Sequence, residues 1–577
     1  MRLHSGSKFD AESGGESLCC GTCYVSKLQK RICCFIVWLP VSVIILLLGI
    51  VLIKALTVTE RFQRIKLSSD DTGALINPDN VTKLSWARKL GDAIKIPTVS
   101  RSETDQNTDD ILKLHDYLKV EFVSVFNSTF VTAFYPNSLS ILLRVQGSQS
   151  TSNPYLLCAH LDVVPAGDLS KWDLEPFLGR IVEQDDDQFI YGRGAIDDKH
   201  SVIGILQALE LILKDGGQPS RTVYVAFGHD EEVSGLGGAG EIAKVLGNKL
   251  VENNEKLDFL LDEGMFVMKD VVPGVTDPVV YIGVVEKGWT TLELTVNGEQ
   301  SHSSAPPRES TIGILANAVA NLEKHRSPAK FSSGPEYDSM SYLAPHATFL
   351  YKMVFSNLWL FKDILSSVLA QSSEIDAIQR TTTAVTVIEG GFKENVMPSV
   401  AKAIVNHRIH PTEDLDDILK HDRNVIDDAR VEIETKGYFA PPPISPYSND
   451  IIPFQVIANS ALEVFPEAHV TPGTLIANTD TKHYLHLTDK IYRFTPAFIG
   501  KNDTKRFHGF NERISVDNFA QVVEFYRRVI KNADSFREES FEASGEEVQS
   551  CDANDKECVL NDESKLDKDI EDYILIE

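Results

Sequence analysis

Tyr155-Leu-Leu-Cys-Ala-His-Leu-Asp-Val-Val-Pro165 is an apolar run that ends in His160-x-Asp162, and the same arrangement returns twice further along the chain. Gly192-Arg-Gly-Ala-Ile-Asp-Asp-Lys199 presents Asp197 after a glycine-rich turn, and Thr222-Val-Tyr-Val-Ala-Phe-Gly-His-Asp-Glu-Glu232 places Glu231 and Glu232 after another β-like run. Short apolar runs rich in β-branched and aromatic residues, bounded by polar blocks, read as buried strands. α/β proteins place their sites at the C-terminal ends of such strands. Imidazole and carboxylate are the donors that hold hydrolytic zinc while leaving room for water. These blocks predict an α/β fold carrying a two-zinc hydrolase site.

Strand alternation puts His160 and Asp162 on one side, where the carboxylate can accept the second ring N–H of the imidazole; Asp162 reads as a support rather than a ligand. Asp197 lies between a Gly-Arg-Gly turn and a helix-like run from Ser201 to Leu213, and its two oxygens suit it to bridge two metals. Adjacent Glu231 and Glu232 would repel unless one binds metal and the other works on the water beside it. Leu260-Leu-Asp-Glu-Gly264 ends a further apolar run and offers Asp262 or Glu263 as another ligand. The missing imidazole is sought at Phe507-His508-Gly-Phe-Asn-Glu512.

Together these phrases resemble the co-catalytic zinc metallopeptidase family that includes aminoacylase, carboxypeptidase S, carnosine dipeptidase and succinyl-diaminopimelate desuccinylase. Within it, the patterns of carboxypeptidase S and of the N-fatty-acyl-amino acid synthase/hydrolases are the nearest. The likeness runs from about Val81 to Ala533. It implies two Zn2+ per subunit, one on His160, Asp197 and Glu263, the other on Asp197, Glu232 and His508. It implies Glu231 as general base, Asp162 as the support of His160, and Glu263 over Asp262. His302, in Gly298-Glu-Gln-Ser-His-Ser-Ser-Ala-Pro-Pro307, resembles a lid histidine that completes the site by donating to a developing oxyanion. Asn395 and Arg408 resemble substrate-holding positions, and a guanidinium fork suits a substrate carboxylate. Asn478 stands where relatives usually carry Gly, and the His302 loop is less compact than theirs. His229 reads as orienting the glutamate loop, and His407, His410 and His483 as structural.

At 577 residues the chain has room for two or three domains. From Ile32 to Ile53 it carries no charge, flanked by Arg31 and Lys54, which is long enough for a transmembrane helix. The expected order is a cytosolic segment (1–31), a transmembrane helix (32–53), a stalk (54–80), a catalytic domain (81–285 and 441–533) interrupted by an α+β lid or dimerisation domain (286–440), and an acidic disordered tail (534–577). Sequons at Asn80, Asn127 and Asn502 favour a lumenal or extracellular catalytic body, in a vacuole, lysosome, the secretory pathway or at the cell surface. Cys19, Cys20, Cys23, Cys33 and Cys34 at the membrane segment are candidates for palmitoylation, Cys158 reads as a core residue, and Cys551 and Cys558 could pair in the tail. Met353 to Leu369 reads as packing helices, with an acyl-chain surface as the alternative.

A net charge of −27 argues against nucleic acid as a partner. The expectation is a membrane-anchored zinc amidohydrolase acting on a small-molecule N-acyl amino acid, N-fatty-acyl amino acids included, and a homodimer through the lid by resemblance. The alternatives are a carboxypeptidase acting on small peptides and, at greater distance, a binding protein that has lost the chemistry.

Overall fold

The computed structural model of the chain describes residues 27–65, 74–149, 152–184, 187–214, 217–332, 334–500 and 503–535. Strands β1 (Val131–Phe134), β2 (Ile141–Val145), β3 (Tyr155–His160), β4 (Val223–Gly228), β5 (Leu260–Lys269) and β6 (Val279–Glu286) come first. Strands β7 (Gly288–Asn297), β8 (Thr382–Gly390), β9 (Val400–Ile409) and β10 (Val431–Phe439) build a separate sheet; β11 (His469–Leu475) and β12 (Ile491–Gly500) return to the first. The larger sheet has eight strands in the order β11-β6-β12-β5-β3-β4-β2-β1. Its centre is parallel, β3 pairing with β4 and β5, and β5 with β12.

The helices include α1 (Lys27–Thr57), α2 (Lys199–Lys214), α3 (Ala239–Glu252), α4 (Thr311–Lys324), α5 (Phe349–Phe355), α6 (Leu358–Leu369), α7 (Leu415–Ile426), α8 (Ile452–Val464) and α9 (Val516–Ser535); others, Asn80–Ile94 and Thr108–Glu121 among them, lie between. Strands β3 and β4 are apolar throughout because both faces are covered. Leu157, Val225 and Phe227 pack with α2, α8 and α9, while Leu156, Cys158, Tyr224 and Ala226 pack with α3 on the other side. Cys158 is a buried free thiol in that second layer.

β5 departs from the sequence expectation. It does not end at Asp262-Glu263-Gly264 but runs on to Lys269. Its pairing with β12 jumps from Asp262–Arg493 to Met265–Phe494, so Glu263 and Gly264 bulge from the ladder. Gly264 has φ +148°, and a Cβ there would lie 2.7 Å from the Cβ of Arg493. Bulges re-aim side chains beside sites, and this one turns Glu263 toward the ends of β3 and β4.

The second sheet runs β8-β9-β7-β10 and is antiparallel. α4 and α7 cover one face, burying Leu294, Val296, Ala403 and Val405 against Ile314, Leu315 and Ile426. The alternation in Trp289 to Val296 thus corresponds to one covered and one half-open face. The segment between its strands also supplies α5 and α6, whose Phe355, Leu358, Leu365 and Leu369 pack with Val279, Tyr281 and Leu475 at the β6–β11 edge of the larger sheet.

The membrane-length helix extends beyond 32–53 at both ends. In the expected stalk, residues 62–65 dock on the body. Phe62 packs edge-on against Phe454 at 6.1 Å, and Arg64 Nε donates to Asn459 Oδ1 at 2.8 Å, both on α8. Asn80 and Asn127 are exposed, whereas Asn502, the tail cysteines, Cys19, Cys20, Cys23 and nearly all of 534–577 lie outside the described residues.

Candidate metal centre

β3 delivers His160 at its last position, and the turn after Gly194 delivers Asp197 just before α2. His160 Nε2 lies 2.9 Å from Asp197 Oδ1 and 3.4 Å from Glu263 Oε1. On the other side of Asp197, His508 Nε2 lies 3.0 Å from Oδ2 and 3.2 Å from Glu232 Oε2. Asp197 therefore offers one oxygen to each imidazole. Donor atoms of His160, Glu231 and Glu263, and of His160, Asp197 and Glu232, cluster within 4.8 Å of one another. It is Glu263, through the β5 bulge, that reaches His160; Asp262 is buried with Oδ2 lacking a hydrogen-bond partner.

Asp162 does more than the sequence implied. His160 Nδ1 lies 3.0 Å from Asp162 O and 3.3 Å from its Oδ1, and the Asp162 carboxylate also accepts the backbone N–H groups of Glu231 at 3.1 Å and Glu232 at 3.3 Å. One fully buried carboxylate thus sets the imidazole and both glutamates. Glu232 Oε1 accepts from Val164 N at 3.2 Å, leaving Oε2 for the His508 side. His229 bonds Ser140 Oγ at 2.7 Å and His483 reaches Ser234 O at 2.9 Å, so both brace the glutamate loop.

Glu512 and Arg193 were not singled out from sequence. Glu512 Oε1 accepts from the N–H groups of Gly194 at 3.0 Å, Ile196 at 2.7 Å and Asp197 at 3.1 Å, and Oε2 accepts from Arg193 Nη1 at 2.6 Å. Arg193 Nη2 also donates to Gly509 O at 2.9 Å. This buried pair ties the Asp197 turn to the His508 loop. His508 and Asn511 have φ 50° and 60°, a sparsely populated region for residues with a Cβ. Arg506 Nη1 holds Asn511 O at 2.7 Å, and Asp173 exchanges two hydrogen bonds with the Asn511 side chain.

The electrostatics fit a cation site. Burial and the Asp197 charge raise Glu263 to about 8 and Glu232 to about 7; burial and the Glu263 charge raise Glu231 well above the carboxylate range. His508 is raised to about 10 by its bonds to Asp197 and Glu232. Burial opposes a charged Asp197, but hydrogen bonds from both histidines outweigh it and hold its pKa low. The donor set suits divalent cations, which would relieve the carboxylate repulsion directly.

His302, Asn395 and Arg408 are not among the clustered donors. His302 is exposed, and its Nδ1 bonds Ser304 Oγ at 2.7 Å. It pairs with Val396 in a short ladder, and Ser303 N donates to Asn395 O at 3.2 Å, so His302 and Asn395 share one loop region. Arg408 lies on β9, where Nη1 donates to Asn478 Oδ1 at 2.5 Å; Asn478 Nδ2 in turn donates to Lys287 O at 2.6 Å. Asn478 thus joins the second sheet to the crossing from β6 to β7. His407 pairs with buried Asp422 at 3.0 Å and His410 with Glu336 at 3.3 Å, both structural.

Fold and site together define a hydrolytic enzyme of the metallopeptidase class. The sequence profile described as "Peptidase family M20/M25/M40" matches residues 156–532, and the chain belongs to that family. It is 45% identical over 459 residues to an N-fatty-acyl-amino acid synthase/hydrolase (PM20D1.1) of Danio rerio, covering 80% of this chain and 87% of that one. It is 30% identical over 510 residues to carboxypeptidase S of Saccharomyces cerevisiae, covering 79% and 86%. Among solved structures, an M20 family metallo-carboxypeptidase, Sso-CP2, from Sulfolobus solfataricus superposes with a TM-score of 0.56 at 19% identity, over 79% of this chain and 100% of that one; it shares the fold.

Proposed function

We propose that this chain is a membrane-anchored zinc amidohydrolase that cleaves, and in reverse forms, the amide bond of N-acyl amino acids, N-fatty-acyl amino acids among them. The observation that carries the reading is Asp197 set between His160 and His508, with Glu263 and Glu232 completing the two sides. Held there, two Zn2+ ions would polarise the scissile carbonyl and make water a nucleophile at neutral pH. Asp162 keeps His160 in the tautomer that presents Nε2, and through two backbone N–H groups it fixes where Glu231 and Glu232 stand. Glu231 takes the proton from water and delivers it to the leaving nitrogen. His302 donates to the developing oxyanion once the second sheet closes as a lid. Arg408 takes the amino acid carboxylate through its fork, and Asn395 lines the same mouth.

The fatty-acyl substrate class is favoured by the 45% identity to a synthase/hydrolase of that name, against 30% to carboxypeptidase S. α1 is the one helix among the described residues long and apolar enough to cross a membrane, and the exposed sequons at Asn80 and Asn127 follow it, in keeping with a lumenal or extracellular body. The edge strand β8 leaves Val387 42% and Ile388 58% exposed, a surface suited to a homodimer through the lid. The test is hydrolysis by the full chain of oleoyl-phenylalanine and of a Gly-Leu dipeptide, each with zinc, with chelator and with Glu231→Gln. Chelator- and Glu231-dependent cleavage that favours the lipid amide is expected. Faster dipeptide cleavage would replace the substrate class with a carboxypeptidase, and cleavage indifferent to chelator would overturn the metal mechanism.

A further inference from the structure

α6 is apolar on two faces. Leu358, Leu365 and Leu369 point into the core beside the catalytic sheet. Leu360, Ile364 and Val368, spaced by four residues and so on one side of the helix, point outward at 40%, 64% and 46% exposure. Trp359 is 48% exposed beside them, and on α5 Phe349 and Leu350 are 56% and 64% exposed. An apolar helix face of this kind is ordinarily covered, and contiguous apolar surface marks an interaction site.

The neighbour that identifies the occupant is α1. Val51 and Ala55 of that helix are buried, at 5% and 3% exposure, whereas Ile45, Leu46, Leu48 and Ile53 are more than half exposed. Asn357, between α5 and α6, donates through Nδ2 to Val51 O at 3.1 Å. Lys54, the first charge after the uncharged run, stands 5.6 Å from the centre of the Trp359 ring, and Trp359 Nε1 donates to Asn357 Oδ1 at 3.2 Å. Trp beside Lys at the end of an apolar helix is the pairing found where a span leaves the hydrocarbon for the headgroups. Val58 packs on the α5–α6 core, and Phe62 and Arg64 are held by α8. The body is therefore fixed to the end of α1 and does not hang from a free linker.

We propose that the outward faces of α5 and α6 lie in the interface of the same bilayer that α1 crosses, so that the enzyme rests on the membrane through its lid-side insertion. This rests on the reading of α1 as a membrane helix. The geometry requires it once that reading holds: Val51 is within the apolar span, Asn357 bonds it directly, and Phe349, Leu350, Leu360 and Ile364 are on the two helices that Asn357 joins. Asp363 and Ser367, next to the apolar stripe, give it a polar edge toward water. The insertion also touches the crossing into the second sheet, since Lys287 Nζ donates to Ala377 O at 2.8 Å and Arg380 O at 2.7 Å. A substrate with a long acyl chain would then approach the lid from the lipid rather than from water.

The test uses the full chain reconstituted in phosphatidylcholine vesicles, with native cysteines other than buried Cys158 replaced by serine. Single spin labels are placed at Leu46→Cys, Leu350→Cys, Ile364→Cys and Val120→Cys. Val120 is 78% exposed on helix Thr108–Glu121, toward the β1 end of the sheet, about 30 Å from the β11 edge at the usual strand spacing. Relaxation by lipid-soluble oxygen is compared with relaxation by a water-soluble nickel complex. Labels at 46, 350 and 364 are expected to respond to oxygen over nickel, and the label at 120 to nickel over oxygen. Labels at 350 and 364 that follow 120, while 46 follows oxygen, overturn the proposal and leave the anchor standing. A label at 46 that responds to nickel removes the anchor and the proposal together. Labels at 350 and 364 shielded from both reagents mean that a second copy of the chain covers the face, which also overturns it. Unchanged thermal midpoints and hydrolysis show that each labelled protein is folded, and Val368→Cys replaces any position that fails this check.

Discussion

Asp162 and Glu512 are both fully buried, and each accepts several backbone N–H groups from the loops that carry the metal-site residues. His302, Asn395 and Arg408 instead stand exposed, His302 bonded to Ser304 and Arg408 to Asn478. The first set is positioned by the fold itself, through backbone N–H groups that bond to these two buried carboxylates. On the proposed reading, closure and the substrate would organise the second. On that reading, a site divided this way would hold its cations tightly and still admit and release an extended ligand.

The largest effect that would sharpen this contrast is at Glu231. Glu231→Gln is expected to lower kcat by about 10²–10⁴-fold while the purified protein still binds zinc, because it removes a proton carrier and not a ligand. Metal content measured beside kcat checks it, and zinc loss equal to the activity loss would move Glu231 into the ligand set. Next is Glu512→Gln, which breaks the buried pair with Arg193 and loosens both the Asp197 turn and the His508 loop. Zinc affinity should fall by about 10–100-fold, as for other groups that position ligands, and activity should return at high zinc. Calorimetric zinc titration reads this directly; an unchanged affinity would reduce the pair to a fold contact.

On the lid side, Arg408→Lys should raise KM by about tenfold with kcat nearly unchanged, since the fork is lost and the charge stays. A fall in kcat alone would mean that Arg408 acts in the transition state, and the division between the two sets would fail. The smallest effect concerns stability. His115 is lowered from 6.5 to about 4, chiefly by burial, and is neutral in the fold. The unfolded chain therefore binds the extra proton between those values, and stability from this group is complete above pH 6.5 and is lost as pH falls toward 4. At about pH 5.5 the loss is about 1.4 kcal/mol, or a few degrees in Tm. The Tm gap between wild type and His115→Gln should narrow by that amount between about pH 7.5 and about pH 5.5, and a constant gap would refute the assignment.

Much of the metal cluster was legible because its carriers are local. His160-x-Asp162, Asp197 after Gly-Arg-Gly and the Glu231-Glu232 pair follow apolar runs, and strand ends are where chain geometry gathers side chains from distant segments. Glu263 was legible as a residue but not as a place. The run through Leu260 and Leu261 looks terminal, and only the slip against β12 shows that the strand continues and throws Glu263 out as a bulge. Arg193 and Glu512 were not legible as a pair, because neither carries a local pattern and their bond closes a loop of more than three hundred residues, |i−j| = 319.

By itself the sequence determined the order of donors, the uncharged apolar run from Ile32 to Ile53, the buried strands and the break into a second unit near Trp289. Each depends on periodicity or on residue type within one segment. Tertiary structure decided which oxygen faces which imidazole, that Asn478 links Arg408 to the Lys287 backbone, and that residues 62–65 dock on α8 and its approach. It also decided which side of α6 is core. Leu358, Leu365 and Leu369 differ from Leu360, Ile364 and Val368 by rotation about one helix, and their hydrophobicity is the same. Only the packing of β6, β11 and α1 around that helix tells the two faces apart.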